Sequence, residues 1–172
     1  MRKGYIQVYT GNSKGKTTAA LGLALRAAGA GLRVFIGQFI KSRICSEHKA
    51  LERFADLIEV RQYGTGFIFS RKPTAEEISI SRKGLEEARE IVSSGEYGMV
   101  ILDEINVAAH SGLITTEDIL DLMAMKHPET ELILTGRYAD EKVMERADLV
   151  TEMKEIKHYA DEGVPAREGI EF

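Results

Sequence analysis

The sequence predicts an α/β fold, with a mostly parallel central sheet of about six strands and helices on both faces. Two observations support this prediction. Short apolar runs of strand length alternate along the chain with segments that have helical periodicity. A glycine-containing loop also joins the first apolar run to the first helix, as in parallel sheets built from right-handed crossovers. The 172 residues are enough for one domain, which we assign to residues 1–172.

The first half of the chain contains three predicted strands. The apolar run 5–9 is the first, and the helix after its loop ends at the glycines of 29–31. Residues 33–40 are rich in β-branched and aromatic side chains and form the second strand. A short helix over 47–55 then leads to the third strand at 57–63. This succession of strand, helix and strand is the unit from which parallel sheets are built.

A capping box marks the beginning of the longest predicted helix. Thr74 is followed three residues later by Glu77, and apolar side chains recur at helical spacing as far as residue 93. A second cap is predicted at Thr115, and Pro128 breaks the helix that follows it. The remaining predicted elements are strands at 99–102, 131–135 and 149–153 and helices at 115–126 and 140–147. The tail from residue 154 onward shows little periodicity.

The loop between the first strand and the first helix has the composition of a phosphate-binding loop. Its residues are Gly11, Asn12, Ser13, Lys14, Gly15, Lys16, Thr17 and Thr18. The backbone amides of such a loop surround phosphate oxygens at a helix N-terminus, where the helix dipole favours negative charge. Lys16 provides a cation for the outer phosphates, and Thr17 offers a hydroxyl ligand for Mg²⁺. The usual pattern has glycine where this chain has Thr10, so the loop is atypical at its first position.

Two carboxylates follow a predicted strand that is buried on both faces. Met99 begins four consecutive apolar residues, and Asp103 and Glu104 come directly after them. At the carboxyl end of a parallel strand, Asp103 is expected to hold Mg²⁺ beside Thr17. Glu104 is expected to orient a bound water, act as a base or serve as a further ligand. Together the two motifs predict a magnesium–nucleoside triphosphate site and a P-loop NTPase (RecA-like) fold.

Composition and charge narrow the range of partners. Hydrophobic residues make up 44% of the chain and charged residues 29%, and the apolar runs are too short to cross a bilayer, so we expect no membrane partner. A net charge of −4 argues against broad nucleic-acid binding. The single cysteine, Cys45, excludes an internal disulfide and predicts a reducing, cytoplasmic location. A local basic pocket is still available from Lys14, Lys16, Lys41, Arg43 and Arg137.

Several further blocks support a resemblance to one protein family. They are Gln-Phe-Ile-Lys at 38–41, Leu-Asp-Glu-Ile-Asn at 102–106, Leu-Thr-Gly-Arg at 134–137, and the segments 64–69, 147–153, 156–158 and 166–172. In this order, and after the shifted glycine of the loop, they resemble the P-loop class of ATP:corrinoid adenosyltransferases, also called cob(I)alamin or cob(I)yrinic acid a,c-diamide adenosyltransferases. The resemblance covers nearly the whole chain. The chain departs from the family at Ser13, where glycine is usual, and at 42–46, where a glycine- and acid-containing loop is usual.

The resemblance implies a reaction and a set of ligands. Family members transfer the 5′-deoxyadenosyl group of ATP to the cobalt(I) of a reduced corrinoid and release triphosphate, in cobalamin biosynthesis or salvage. ATP and the corrinoid are then the substrates, and Mg²⁺ is the cofactor, with Thr17, Asp103 and Glu104 as its ligands. The resemblance also implies a homodimer and an electron-donating reductase as a partner.

The resemblance also implies roles for individual side chains. Lys16 would stabilise the leaving triphosphate. Phe67 and Phe69 match an aromatic pair that displaces the lower axial ligand of cobalt and so eases its reduction, although their spacing alone favours loop anchors in the core. Arg137 follows a strand end and is a candidate for contact with phosphate or for a surface ion pair. Arg26, on the first helix, is a candidate for contact with adenine or ribose.

Other classes of function remain open from the motifs. A RecA-like ATPase or a small P-loop kinase would use Asp103 and Glu104 and would give ADP, whereas adenosyl transfer gives triphosphate. A ParA-like switch would need a second lysine at position 11, which is glycine here. A corrinoid carrier that delivers the adenosylated product to a client enzyme would release that product slowly.

Overall fold

A computed structural model of the chain describes residues 3–68 and 71–172. Within these residues, six strands and six α-helices follow one another along the chain. The strands are β1 (Ile6–Thr10), β2 (Val34–Gln38), β3 (Ile58–Gln62), β4 (Met99–Asp103), β5 (Glu131–Thr135) and β6 (Leu149–Glu152). The helices are α1 (Lys16–Gly29), α2 (Ser46–Leu51), α3 (Ala75–Ser94), α4 (Ile105–His110), α5 (Thr116–Met125) and α6 (Glu141–Arg146). The predicted α/β class is therefore confirmed.

The six described strands lie in one sheet, and every neighbouring pair is parallel. Their order across the sheet is β3-β2-β4-β5-β1-β6. Strand β5 therefore lies between β1, which leads into the glycine loop, and β4, which ends at Asp103. Parallel strands end at the same edge of a sheet, so the residues at the carboxyl ends of β1, β2, β4 and β5 meet there.

Side chains of the central strands alternate between two buried clusters, one on each face of the sheet. In β4, Val100 and Leu102 belong to one cluster, whereas Met99 and Ile101 belong to the other. This alternation follows from the pleat of a strand, in which successive side chains point to opposite faces. The run of apolar residues that predicted this strand is continuous because both faces are covered.

Helices cover both faces of the sheet, as predicted. Helix α1 packs on the face of Ile101 through Ala20, Ala24 and Ala27, whose small side chains let it approach the strands closely. Helix α3 packs on the opposite face, where Leu85 joins the other cluster. Helices α4, α5 and α6 also contribute buried side chains to that second cluster. The core is thus divided into two layers by the sheet.

The two predicted helix caps are present as capping boxes. Thr74 Oγ1 accepts a hydrogen bond from the Glu77 N–H at 3.2 Å, and the Glu77 carboxylate accepts from the Thr74 N–H at 2.7 Å. Thr115 and Asp118 make the same reciprocal pair, at 3.1 and 2.8 Å. Each pair satisfies backbone donors that the first helical turn leaves unpaired.

Some elements differ from the predictions in length or were missed. Helix α4 was not predicted, because its six residues are too few to show helical periodicity. The helix predicted at 47–55 is divided into α2 and a 3₁₀ turn at Glu52–Phe54. The second strand covers Val34–Gln38 instead of 33–40, although Phe39 and Ile40 are also buried. Within the described chain, no helix has the length and apolarity needed to span a membrane.

Candidate active site

The phosphate loop is shaped by two glycines with left-handed backbone angles. Gly11 has φ +97° and Gly15, directly before α1, has φ +115°. A Cβ at Gly11 would lie 2.5 Å from the carbonyl oxygen of Met153, so only glycine fits there. Thr10 is the last residue of β1 and pairs with Glu152. The first special backbone position therefore falls at Gly11, which explains why the glycine is shifted in the sequence.

Lys16 lies buried across the loop that it follows. Its Nζ donates hydrogen bonds to the carbonyl oxygens of Gly11 at 2.8 Å and Ser13 at 2.6 Å. Burial lowers the pKa of Lys16, and the nearby Arg137 lowers it further, whereas Glu104 and Asp103 raise it. The ammonium is thus held at the concave side of the loop, in an environment with charges of both signs.

The Asp103 carboxylate is surrounded by donors from three elements and one loop at the edge of the sheet. Its Oδ1 accepts hydrogen bonds from the hydroxyls of Thr17 at 2.8 Å and Thr135 at 2.7 Å. Its Oδ2 lies 3.4 Å from the amide nitrogen of Gln38 and 3.6 Å from Nζ of Lys41. The side chain is only 1% exposed. The strand order brings Thr17, which is 86 residues away in the sequence, against this carboxylate.

Glu104 follows Asp103 in a strained and poorly paired position. Its φ is +60°, in the left-handed region, and its N–H donates to the Thr135 hydroxyl at 3.0 Å. Its Oε2 is buried without a hydrogen-bond partner in the described part of the chain. Burial, followed by repulsion from Asp103, raises the pKa of Glu104 to about 6. A strained residue with an unpaired buried oxygen is typical of a functional site.

Other predicted ligands have different surroundings. Lys14 reaches away from the loop to Glu171, and Ser13 donates its N–H to the Met153 carbonyl at 3.0 Å. Asn12 and Thr18 are exposed on the loop and at the start of α1.

The predicted arginines lie on different segments, and only one member of the phenylalanine pair is among the described residues. Arg137 is exposed, yet its charge acts on both Lys16 and Glu104. Arg26 is in the last turn of α1, ten residues after Lys16 and so about 15 Å farther along the helix axis. Phe67 is 51% exposed, and Phe69 lies outside the described residues.

Several side chains of the site were missed by sequence reasoning. Thr135 and Gln38 end otherwise apolar strands and are almost fully buried, and both contact Asp103. A polar residue that ends an apolar strand beside the two motifs is the signal that would have identified them. Asn106 was not missed, because it belongs to the motif at 102–106. It is buried, and neither polar atom of its side chain has a hydrogen-bond partner within the described ranges.

The fold and this site define an α/β protein of the P-loop NTPase-like class. Comparison with known proteins is more specific: the chain belongs to the ATP:corrinoid adenosyltransferase family BtuR/CobO/CobP, whose profile matches residues 2–172. It is 36% identical to a corrinoid adenosyltransferase of Sinorhizobium sp over 173 residues, which cover 99% of this chain and 81% of that protein. The resemblance inferred from the motifs is thereby confirmed, and the chain is a transferase.

Two further relatives are also corrinoid adenosyltransferases. A corrinoid adenosyltransferase of Pseudomonas aeruginosa is 31% identical over 171 residues, covering 99% of this chain and 84% of the relative. One of Escherichia coli K12 is 33% identical over 171 residues, covering 99% and 86%. These matches extend over the phosphate loop, both carboxylates and the C-terminal segment.

Proposed function

We propose that this protein transfers the 5′-deoxyadenosyl group of ATP to the cobalt(I) of a reduced corrinoid and releases triphosphate, in cobalamin biosynthesis or salvage. The observation that supports this most directly is the convergence of the loop threonine, Thr17, on Asp103 at 2.8 Å in a chain of this family. The phosphate loop and the acidic strand end therefore lie next to each other, as binding of a magnesium–nucleoside triphosphate requires.

The reaction needs no nucleophile from the protein. The cobalt(I) donates an electron pair to the ribose 5′ carbon, a Co–C bond forms, and the C–O bond to triphosphate breaks with its electron pair kept by oxygen. The chain's contribution is orientation and stabilisation of the leaving group. Lys16 and the loop amides neutralise the charge that grows on the triphosphate. Arg137 adds a second cation.

The side chains of the site fit a magnesium ion. Thr17, Asp103 and Glu104 offer only oxygen atoms, which are the ligands that Mg²⁺ prefers. The buried Glu104 oxygen without a partner is consistent with a ligand atom. Magnesium supplies charge neutralisation on the triphosphate when it is bound. Lys41, whose Nζ lies 3.6 Å from Asp103, adds a positive charge beside that carboxylate.

One experiment separates this function from its alternatives. The protein is incubated with Mg²⁺–ATP and chemically reduced cobalamin, and the visible spectrum of the corrinoid is followed while the released phosphates are assayed. We expect formation of the alkylated corrinoid with stoichiometric triphosphate. ADP and phosphate, with an unchanged corrinoid spectrum, would instead identify an ATPase or kinase. Omission of Mg²⁺ in a parallel reaction tests the metal requirement.

The phenylalanine pair provides a prediction about reduction of cobalt. Phe69→Ala is expected to lose most activity when the electrons come from a weak flavin-type donor, because the lower axial ligand is no longer displaced. The same variant keeps ATP binding, and it keeps activity when cobalt(I) is supplied by a strong chemical reductant. Phe54→Ala, which removes a half-exposed ring at another position, is the matched control. Equal turnover of Phe69→Ala and the wild type with the weak donor would contradict the role.

The family resemblance also supports the remaining proposals. We propose a homodimer in the cytoplasm that receives electrons from a separate reductase. Light scattering of the purified protein measures the first of these points directly.

A further inference from the structure

The C-terminal segment 153–172 crosses the phosphate loop. The Met153 N–H donates to the Thr10 carbonyl at 2.9 Å, and the Met153 carbonyl accepts from the Ser13 N–H at 3.0 Å. The Met153 sulfur also lies 3.0 Å from the position that a Cβ on Gly15 would occupy. The segment is therefore packed against both ends of the loop.

The far end of this segment binds the side chain of Lys14. The Lys14 ammonium lies 2.5 Å from Oε1 of Glu171 and donates to the Tyr159 hydroxyl at 2.8 Å. The Tyr159 hydroxyl also contacts Glu171, and the Arg167 N–H donates to the second carboxylate oxygen at 2.7 Å. Lys14 is 40% exposed, which leaves it room to move.

We propose that Glu171 is a positioning residue for the leaving triphosphate, which it helps to expel by competing for the Lys14 ammonium. This inference rests on the proposed function. Triphosphate carries several negative charges, so it attracts the Lys14 ammonium more strongly than one carboxylate does when it occupies the loop. When Lys14 returns to Glu171, the loop loses one cation and the triphosphate is held less tightly.

The surroundings of Glu171 lower the free-energy cost of the exchange in which Lys14 moves from Glu171 to the triphosphate. When Lys14 leaves it, the carboxylate retains the Tyr159 hydroxyl and the Arg167 N–H as donors. No ionised group is therefore left without a hydrogen bond, which would otherwise oppose the exchange. The next residue also links the segment to the start of α2, because the Phe172 carbonyl accepts from the Ser46 hydroxyl at 3.0 Å. The exchange thus takes place in an anchored segment.

The test is the affinity of the protein for inorganic triphosphate with Mg²⁺, measured by calorimetry. Glu171→Gln removes the competing charge while keeping the shape, so we expect triphosphate to bind about 5-fold more tightly. The multiple-turnover rate should fall by a similar factor, while the single-turnover rate stays unchanged. Glu171→Asp retains the charge and should restore the wild-type affinity. Glu168→Gln removes an exposed charge from the same segment and is the control for net charge.

The possible outcomes distinguish this proposal from the proposed function. Weaker or unchanged triphosphate binding by a folded Glu171→Gln variant, in a protein that adenosylates corrinoids, overturns the competition and leaves the function intact. A wild-type protein that binds no triphosphate overturns the competition, and one that forms no alkylated corrinoid from Mg²⁺–ATP overturns both proposals. Tighter binding together with slower multiple turnover supports the proposal, because loss of structure in the segment would weaken binding instead.

Discussion

Replacement of Lys16 by alanine is expected to lower kcat/KM for adenosyl transfer by about 1,000-fold. Lys16 is 6% exposed, and its ammonium lies over the concave side of the loop, within 2.8 Å of the Gly11 carbonyl. A cation in such a desolvated position stabilises charge on the leaving group far more than an exposed one does. The measurement is steady-state kinetics with Mg²⁺–ATP and chemically reduced cobalamin.

Two controls make the Lys16 result specific. Lys83→Ala removes an exposed lysine from α3 and should leave the kinetics unchanged. Circular dichroism and urea unfolding of Lys16→Ala show whether loss of the hydrogen bonds to Gly11 and Ser13 has disturbed the loop. A folded Lys16→Ala variant with activity within 10-fold of the wild type would show that the lysine does not contact the triphosphate.

Replacement of Glu104 by glutamine is expected to lower activity by about 100-fold and, at the same time, to stabilise the fold. The loss follows because an amide oxygen is a weaker ligand for Mg²⁺ than a carboxylate. The gain follows because the ionised carboxylate is buried beside Asp103, and both features raise its pKa to about 6. The opposing charges of Lys16, Lys41 and Arg137 only partly offset this cost.

The size of the stability change produced by Glu104→Gln depends on pH. The pKa of the Glu104 carboxyl is about 6 in the folded protein, whereas its ordinary value is 4.5. The group therefore binds its proton more tightly in the native state. The native state therefore loses stability as pH rises from 4.5 to 6, and the full cost of up to about 2 kcal/mol remains above that range. Urea unfolding at pH 7.5 should show Glu104→Gln to be more stable by that amount. The difference should shrink near pH 5 and disappear below pH 4.5.

Activity should increase with pH, whereas stability decreases, because Glu104 must be ionised to bind Mg²⁺. Wild-type activity at low Mg²⁺ concentration should fall as pH decreases through about 6. Higher Mg²⁺ should move this limb to lower pH, since metal binding favours the ionised carboxylate. Glu104→Gln should lack the limb. Unchanged stability at pH 7.5 together with full activity would contradict both the cost of the buried Glu104 charge and its role as a ligand.

The parts of the fold that were predicted correctly depend on residues that are close together in the sequence. The run 99–102 was identified as a doubly buried strand because all four residues are apolar, and β4 is buried along its whole length. The cap at Thr74 was identified from two residues three positions apart, and both hydrogen bonds of that capping box are present. Helix α4 was missed because six residues carry too little periodicity. A sequence pattern predicts a helix or strand when the element is long enough to show periodicity or when its cap is specific.

The candidate site likewise contains residues that the sequence predicted and residues that it did not predict. The identity of the loop, its lysine and threonine, and the two carboxylates were predicted from short motifs. The proximity of Thr17 to Asp103 was predicted because both motifs lie at the carboxyl ends of parallel strands. Thr135 and Gln38 lie in the motifs at 134–137 and 38–41, but their contacts with Asp103 were not predicted, because these depend on which strands lie beside β4. The roles of Phe69 and Arg26 stay predictions.

By itself, the sequence determined the α/β class, the phosphate loop, the acidic strand end and the family. Only the tertiary structure decided which groups surround each charge. It paired Lys14 with Glu171, 157 residues away, and it left a buried Glu104 oxygen without a partner within the described residues. The physical reason is that periodicity and caps depend on neighbours along the chain, whereas burial and electrostatic pairing depend on segments that meet only when the sheet has assembled.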